Sequence, residues 1–250
     1  MSTDTLVSVI TPVFNMERTI NQAIESVRAQ TLTDWEMLII DDGSTDQSRP
    51  LIREAAALDQ RIQTVFLGRN LGAAAARNAG IKRAKGRYLA FLDGDDFWMP
   101  EKLERQIDWM QSQTTALSFT AYEHMNTDGL RTGRIIGAPQ EMAYEDLLKG
   151  NQIGCSTVML DASITGRVQM PRQPHEDYLT WLSILKRGNR ANGLNEVLTL
   201  YRKTRGLLTA NRLQCAKWTW QIYRQHEKLS LPKAVYCFAH YAIGGIRKNH

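Results

Sequence analysis

The first 113 residues alternate short apolar runs with helically spaced apolar residues, and the apolar runs end in polar tips. Leu6 to Thr11 (LVSVIT) reads as a buried strand stopped by Pro12, and Trp35 to Ile40 (WEMLII) as a second, ended by DDGSTD. Ile62 to Leu67 is a third, and Tyr88 to Leu92 a fourth that runs straight into DGDD. Between them Ile20, Ile24 and Val27 repeat at helical spacing. Ser44, Thr45 or Asp46 can cap a helix that runs through Leu58. Gly72 to Ala84 is an Ala-rich helix, and Pro100 suits the first turn of a helix carrying Leu103, Ile107 and Met110.

Strands separated by helices of this length imply βαβ units and a parallel sheet. Ligands of such sheets bind at the carboxyl ends of the strands. That places Asn15, Asp41, Asp42, Asp93 and Asp95 on one rim. The fold expected is α/β, a Rossmann-like nucleotide-binding sheet with a C-terminal helical extension.

The second half is less regular. Ala116 to Glu123 reads as a strand, and Asn126 to Gly129 as a turn into Arg134 to Ile136. Cys155 to Leu160 is another strand, Asp177 to Lys186 an amphipathic helix ended at Gly188, and Val197 to Tyr201 a last strand. From about Thr209 the pattern is helical, broken near Leu231-Pro232. The expected division is a domain over 1–208 and a basic, aromatic helical tail over 209–250.

The charge divides the same way. From Tyr201 onward ten Lys and Arg face one acid, Glu227, whereas the preceding 200 residues carry 21 basic and 25 acidic residues. An acidic body and a basic tail should meet different partners. Three widely spaced cysteines, Cys155, Cys215 and Cys237, argue against a disulfide framework or a Cys-based zinc site and fit a reducing compartment. The N-terminus lacks the basic and apolar regions of a secretory signal, and no apolar stretch of about 18 residues suggests a spanning helix. The expected location is the cytoplasm.

The chemistry concentrates in four places. Asp93 and Asp95 lie two apart, so in extended chain they point the same way and repel unless a cation or a set of donors sits between them. All-oxygen ligation selects Mg²⁺ or Mn²⁺, which also binds phosphate oxygens. The plain alternative is a solvated acidic loop, against which the apolar frame of Phe91, Leu92, Phe97 and Trp98 speaks. Asp41 and Asp42 suit an Asp-Gly turn and helix cap, or acceptance of hydrogen bonds from a nucleobase or ribose. Arg77 and Asn78 lie in GAAAARNAG, whose small residues permit close packing of helix on sheet, and Arg77 could instead face a diphosphate. Neither GK[ST] nor GxGxxG is present, so neither ATP nor NAD is indicated. Glu176 and Asp177 open a helix, where the dipole favours acids, and Asp177 could serve as a general base.

These segments in this order, VSVITPVFN, DDGSTD, GAAAARNAG, FLDGDD, HEDYLTWLSILKRG and LTLYR, resemble the family 2 glycosyltransferases over roughly residues 5 to 205. The resemblance implies a GT-A fold, a nucleotide-sugar donor, with UDP the expected base carrier, and inversion at the anomeric carbon. It implies that Thr11 and Pro12 line the nucleoside pocket, that Asp42 with Asp41 beside it meets the base, and that Asp93 meets the ribose or metal. It further implies that Asp95 binds the metal and that Asp177 is the catalytic base. Processive members carry a Gln-x-x-Arg-Trp signature and membrane spans, and this chain has neither, so transfer of a single sugar is expected. The downstream LLKGN, IGCSTVML and LPKAVYCFAHYAIGGIRK resemble the subgroup that builds teichuronic acid and related cell-surface polysaccharides. In that setting the acceptor is a lipid-linked saccharide at the inner face of the cell membrane. The tail could lie there as a basic amphipathic helix, or its aromatics could pack on the body or on a second copy.

Three other readings compete. A nucleotidyltransferase usually needs a glycine-rich basic loop near the N-terminus, and TPVFNMERT is not one. A non-catalytic nucleotide-sugar- or polysaccharide-binding module would be favoured if Asp177 pointed away from the rim. Nucleic-acid binding by the tail is opposed by the acidic body and by the absence of a recognisable motif.

Overall fold

The computed structural model describes residues 5–166, 168–203 and 212–247, without the side chains of 212, 213 and 245–247. In chain order the elements are β1 (Val7–Val13), α1 (Ile20–Arg28), β2 (Trp35–Asp41), α2 (Ser48–Leu58), β3 (Ile62–Phe66), α3 (Ala73–Ile81) and β4 (Tyr88–Phe91). They continue with β5 (Phe97–Trp98), α4 (Lys102–Gln113), β6 (Leu117–Met125), β7 (Arg131–Ile136), β8 (Glu141–Met142) and α5 (Tyr144–Leu148). A single 3₁₀ turn (Cys155–Thr157) precedes β9 (Met159–Asp161), α6 (Ala162–Thr165), α7 (Glu176–Leu185) and β10 (Ala191–Arg202). Last come α8 (Arg212–Gln221), a π-helical turn (Ile222–His226) and α9 (Leu231–Arg247).

One mixed sheet runs in the order β3-β2-β1-β4-β9-β6-β10-β5, with β7 added to β6 and β8 to β10. β1 to β4 pair in parallel. β9 is antiparallel to both β4 and β6, and β6 is parallel to β10. Two reversals cancel, so β6 and β10 point the same way as β1 to β4. Six strands therefore deliver their carboxyl ends to one edge.

Alternation along the strands feeds two cores. Val7, Val9 and Val13 of β1, Met37 and Ile39 of β2, and Tyr88 and Ala90 of β4 pack against α1, α2 and α4 through Ile24, Ile52 and Ile107. Ile10, Leu38, Ile40, Leu89 and Phe91 face the other way, toward α3, α5 and α7. The Ala-rich α3 lies close on the sheet: a β-carbon at Gly80 would sit 2.7 Å from a side-chain carbon of Ile10 and 2.8 Å from one of Ile40.

Three segments differ from expectation. β1 continues through Pro12 because β4 pairs with it only from Val7 to Ile10. The proline's missing N–H therefore faces a side where the neighbouring strand has already ended. Cys155–Thr157 turns instead of extending, since the Thr157 hydroxyl donates to the Gly154 carbonyl at 2.7 Å. The last strand is longer than Val197 to Tyr201 because β10 is paired along its length by β6.

The tail helices share the body's core. Ile222, Tyr223, Ala234 and Cys237 are buried in it, and the Tyr223 hydroxyl donates to the Leu148 carbonyl at 2.5 Å. Leu231, Val235, Tyr236 and Ile243 of α9 point outward. Among the described residues no helix is long and apolar enough to cross a membrane.

Candidate active site

The loops after β1 and β2 are clasped together at the rim. The Asn15 carboxamide oxygen accepts from the Thr45 amide at 2.9 Å, and the Asn15 amide donates to the Ser44 hydroxyl at 3.0 Å. The two aspartates of DDG divide their work. Asp41 has no exposure and accepts from Arg49 Nε at 2.6 Å and from the Ser44 amide at 3.2 Å. Asp42, also buried, accepts from the amides of Leu71 and Gly72 at 2.8 and 2.7 Å. Gly43 has φ +81°, and a β-carbon there would lie 2.6 Å from the carbonyl carbon of Arg69, so the turn demands glycine. Thr11 and Pro12 are buried in β1 below this turn.

The acids after β4 take different positions. Asp96 turns inward, accepting from the Ser156 hydroxyl at 2.6 Å and the Arg202 amide at 2.8 Å. Burial, with Asp95 and Asp93 nearby, holds it well above the usual carboxylate range. Asp93 faces Arg77, whose Nη2 donates to it at 2.5 Å. Asp95 is half-buried, and among the described residues it forms no ion pair. Burial and the charge of Asp93 push it up to about 6.

Arg77 lies at the centre. Only 5% exposed, it donates through Nη2 to Asp93 and through Nη1 to Glu176 at 2.6 Å. Burial opposes its charge, but Asp93 and Glu176 outweigh that and keep the guanidinium firmly protonated. The planar fork ties the acidic loop after β4 to the start of α7. Asp177, the next residue on α7, accepts from the Tyr178 amide at 2.7 Å. Burial and the adjacent Glu176 push it up to about 6. His175 enters α7 at φ 60°, a conformation rare outside glycine, and its ring packs edge-on against Trp218 at 5.6 Å between centroids. Cys155 lies within the same field, and burial raises its thiol well above the ordinary range, which suits an inert neutral group.

Asp42, Arg77, Asp93, Asp95 and Asp177 thus belong to the carboxyl edge of one sheet and to the helices α3 and α7 beside it, while Asp41 lies beneath the turn. Two contributors were not singled out from sequence. Arg202, at the end of LTLYR, donates to the Asp95 carbonyl at 2.8 Å, to the carbonyls of Asn126 and Thr127, and to the Gln22 side chain. Ser156 joins Asp96 to the Asp93 amide. A cavity of about 450 Å³ is lined by Gln22, Phe97, Met125 and Leu200 among others, and the rim acids are not part of its lining.

A sugar-nucleotide site fits this arrangement, and similarity decides the family. The description "Glycosyl transferase family 2" matches residues 8–165. The Bacillus subtilis (strain 168) protein TuaG, named as a teichuronic acid biosynthesis glycosyltransferase, is 45% identical over 98% of this chain and 97% of its own. This chain belongs to the family 2 glycosyltransferases. An Escherichia coli protein named UDP-Glc:alpha-D-GlcNAc-diphosphoundecaprenol beta-1,3-glucosyltransferase, WfgD, is 37% identical over 98% of this glycosyltransferase and 96% of its own length. Among solved structures, the mannosyltransferase PcManGT of Pyrobaculum calidifontis, in complex with GDP-Man and Mn²⁺, superposes with a TM-score of 0.71 at 17% identity. That match covers 94% of this chain and 68% of PcManGT. Staphylococcus aureus TarS 1-349 with UDP-GlcNAc gives 0.67 at 18% identity, over 88% of this chain and 67% of TarS. Both show the GT-A fold.

The residues accept a divalent ion of the expected kind. Asp95 is a half-buried carboxylate that forms no ion pair among the described residues, burial and the charge of Asp93 raise its proton affinity although Arg202 and Arg77 oppose this, and its donors are all oxygen. No group of three acidic, His or Cys ligands gathers among the described residues. An ion held here would therefore share its coordination with the phosphates of the donor.

Proposed function

We propose that this glycosyltransferase moves one sugar from a UDP-sugar to a lipid-linked saccharide, with inversion, during assembly of a cell-surface polysaccharide. The observation that carries the reading is the Arg77 fork, which joins the rim acid Asp93 to the helix that bears Asp177. WfgD, by its name, takes UDP-glucose and a diphosphoundecaprenol-linked acceptor, and TarS has been solved with UDP-GlcNAc.

In this reading Thr11 and Pro12 line the nucleoside pocket, and Asp42 meets the base while Asp41 and Arg49 fix its turn. Asp93 meets the ribose or the metal, and Arg77, bonded to it, faces the diphosphate. Mn²⁺ or Mg²⁺ at Asp95 would supply Lewis-acid neutralisation of the leaving diphosphate. Asp177 accepts the proton of the acceptor hydroxyl as that oxygen bonds to the anomeric carbon. The bond between that carbon and the phosphate oxygen breaks on the opposite face through an oxocarbenium-like state, and UDP departs with the electron pair.

Calorimetry of UDP-, GDP- and dTDP-sugars with and without Mn²⁺ tests the donor. Mn²⁺-dependent binding of a UDP-sugar is expected, and binding of ATP alone would contradict it.

The acceptor's lipid implies a membrane-facing surface, and Leu231, Val235 and Ile243 form an outward stripe on α9 with Tyr236 beside it. Truncating the tail would strip Ile222 and Tyr223 from the core, so point changes are the cleaner probe. The Val235→Glu, Tyr236→Glu double variant should sediment less with anionic vesicles than the parent. Equal sedimentation would remove α9 from the membrane surface.

A further inference from the structure

Three aromatic side chains share a corner with the acidic rim, and the donor chemistry above uses none of them. Tyr122 and His124 lie near the end of β6 and Tyr201 near the end of β10, with Tyr201 opposite His124 in the parallel register. The centroids of Tyr122 and His124 are 5.6 Å apart, those of Tyr122 and Tyr201 5.6 Å, and those of His124 and Tyr201 6.1 Å. Both strands end at the same edge as β4 but beyond it, on the side away from the nucleoside half formed by β3, β2 and β1. The trio is close to the acids: the amide of Arg202, next to Tyr201, donates to Asp96 at 2.8 Å, and burial together with Asp96, Asp93 and Asp95 keeps the Tyr201 phenol protonated. Asp96 acts likewise on Tyr122.

The large aromatics of the core are covered: Phe91, Trp98 and Trp181 have no exposure, whereas Tyr201 retains 38% and Tyr122 is half-buried, with His124 buried against both rings. The trio is also linked to the base. The Gly154 backbone lies against the Tyr122 ring, a β-carbon there falling 3.8 Å from Cε1. The next residue, Cys155, lies within the electrostatic reach of Asp177 and Arg77. One short turn thus spans from the aromatic corner to the catalytic helix.

We propose that Tyr201 and Tyr122, backed by the buried His124, form a stacking platform for a pyranose ring of the acceptor saccharide, beside Asp177. The C–H face of a pyranose is apolar and weakly positive, which suits the negative face of an aromatic ring. The sugar's hydroxyls lie around the ring edge and stay free to reach the carboxylates. The platform rests on the glycosyl-transfer reading, and it adds the residues that select and orient the acceptor.

The test is steady-state kinetics with the UDP-sugar that calorimetry selects and with N-acetylglucosaminyl diphosphate on a short alkyl chain as acceptor. Tyr201→Leu should raise the acceptor KM roughly three- to tenfold, the worth of one aromatic contact, and Tyr122→Leu should act in the same direction. Tyr201→Phe keeps the ring and should stay near the parent. The dissociation constant for UDP, measured on the same samples, should be unchanged, which also shows that the variants fold. Unchanged acceptor KM in both leucine variants, or a parent protein that binds UDP but not this acceptor, would overturn the platform and leave the donor site standing. A parent protein that binds no UDP-sugar would overturn the glycosyl-transfer reading, and the platform with it.

Discussion

Asp177→Asn is expected to slow sugar transfer by about 10²–10⁴-fold, the usual contribution of a general base. The change is nearly isosteric. The asparagine oxygen can still accept from the Tyr178 amide, as Asp177 does at 2.7 Å, so α7 should start unaltered. The substituted group has no contact with Asp42 or Arg49, and the dissociation constant for UDP should stay at the parent's value. A fall in kcat with intact nucleotide binding is the signature of an interaction made only in the transition state. Parental turnover in the variant would remove Asp177 from the reaction.

Arg77→Ala should have the largest effect on stability. The guanidinium is buried and serves two carboxylates, Asp93 and Glu176, whose side chains are 24% and 17% exposed. Removing one partner of a buried pair leaves charges without compensation and costs about 3–5 kcal/mol. For a chain of this size that corresponds to roughly a 10 °C drop in Tm. Arg77→Lys should recover only part, since a single ammonium cannot bond both carboxylates in the fork geometry. Combining Arg77→Ala with Glu176→Gln should be less damaging than the sum of the two, because the glutamine no longer needs a cation. Thermal unfolding of the four proteins measures this coupling. Strict additivity, or an unchanged Tm in Arg77→Ala, would mean that the fork is not what joins the acidic loop to α7.

The parallel half of the sheet was legible because each strand is a mainly apolar run and each connecting helix is short and periodic. The polar tips marked the rim because each apolar run stops at a cluster of acids and turn residues, DDGSTD or DGDD. What lay beyond reach was long-range. Arg77 and Glu176 are 99 residues apart, and no local pattern reveals their pairing. Asp41 and Asp42 look equivalent in sequence, but strand alternation sends one under the turn to Arg49 and the other toward the glycine-rich loop. β9 was hidden inside a longer apolar run, whose first part is diverted by the hydrogen bonds of Ser156 and Thr157. Arg202 could have been found, since it closes the LTLYR segment at the end of an apolar strand that points to the rim. The aromatic corner could not, because its members come from two strands far apart in the chain.

The most direct test of the base is the pH dependence of kcat, with donor, acceptor and divalent ion saturating. Asp177 works as a carboxylate, and burial beside Glu176 pushes it up to about 6. Below that pH the group is protonated and cannot accept the acceptor's proton, so the rate should fall about tenfold per pH unit, and above it the rate should level off. An ion held at Asp95, as proposed, would keep that group deprotonated and remove the nearest competing titration from the profile. The expected result is an acid limb with an apparent pKa of about 6 in the parent that is lost from the residual activity of Asp177→Asn. A parent profile with no limb in this range, or a limb that survives the substitution unchanged, would contradict the assignment.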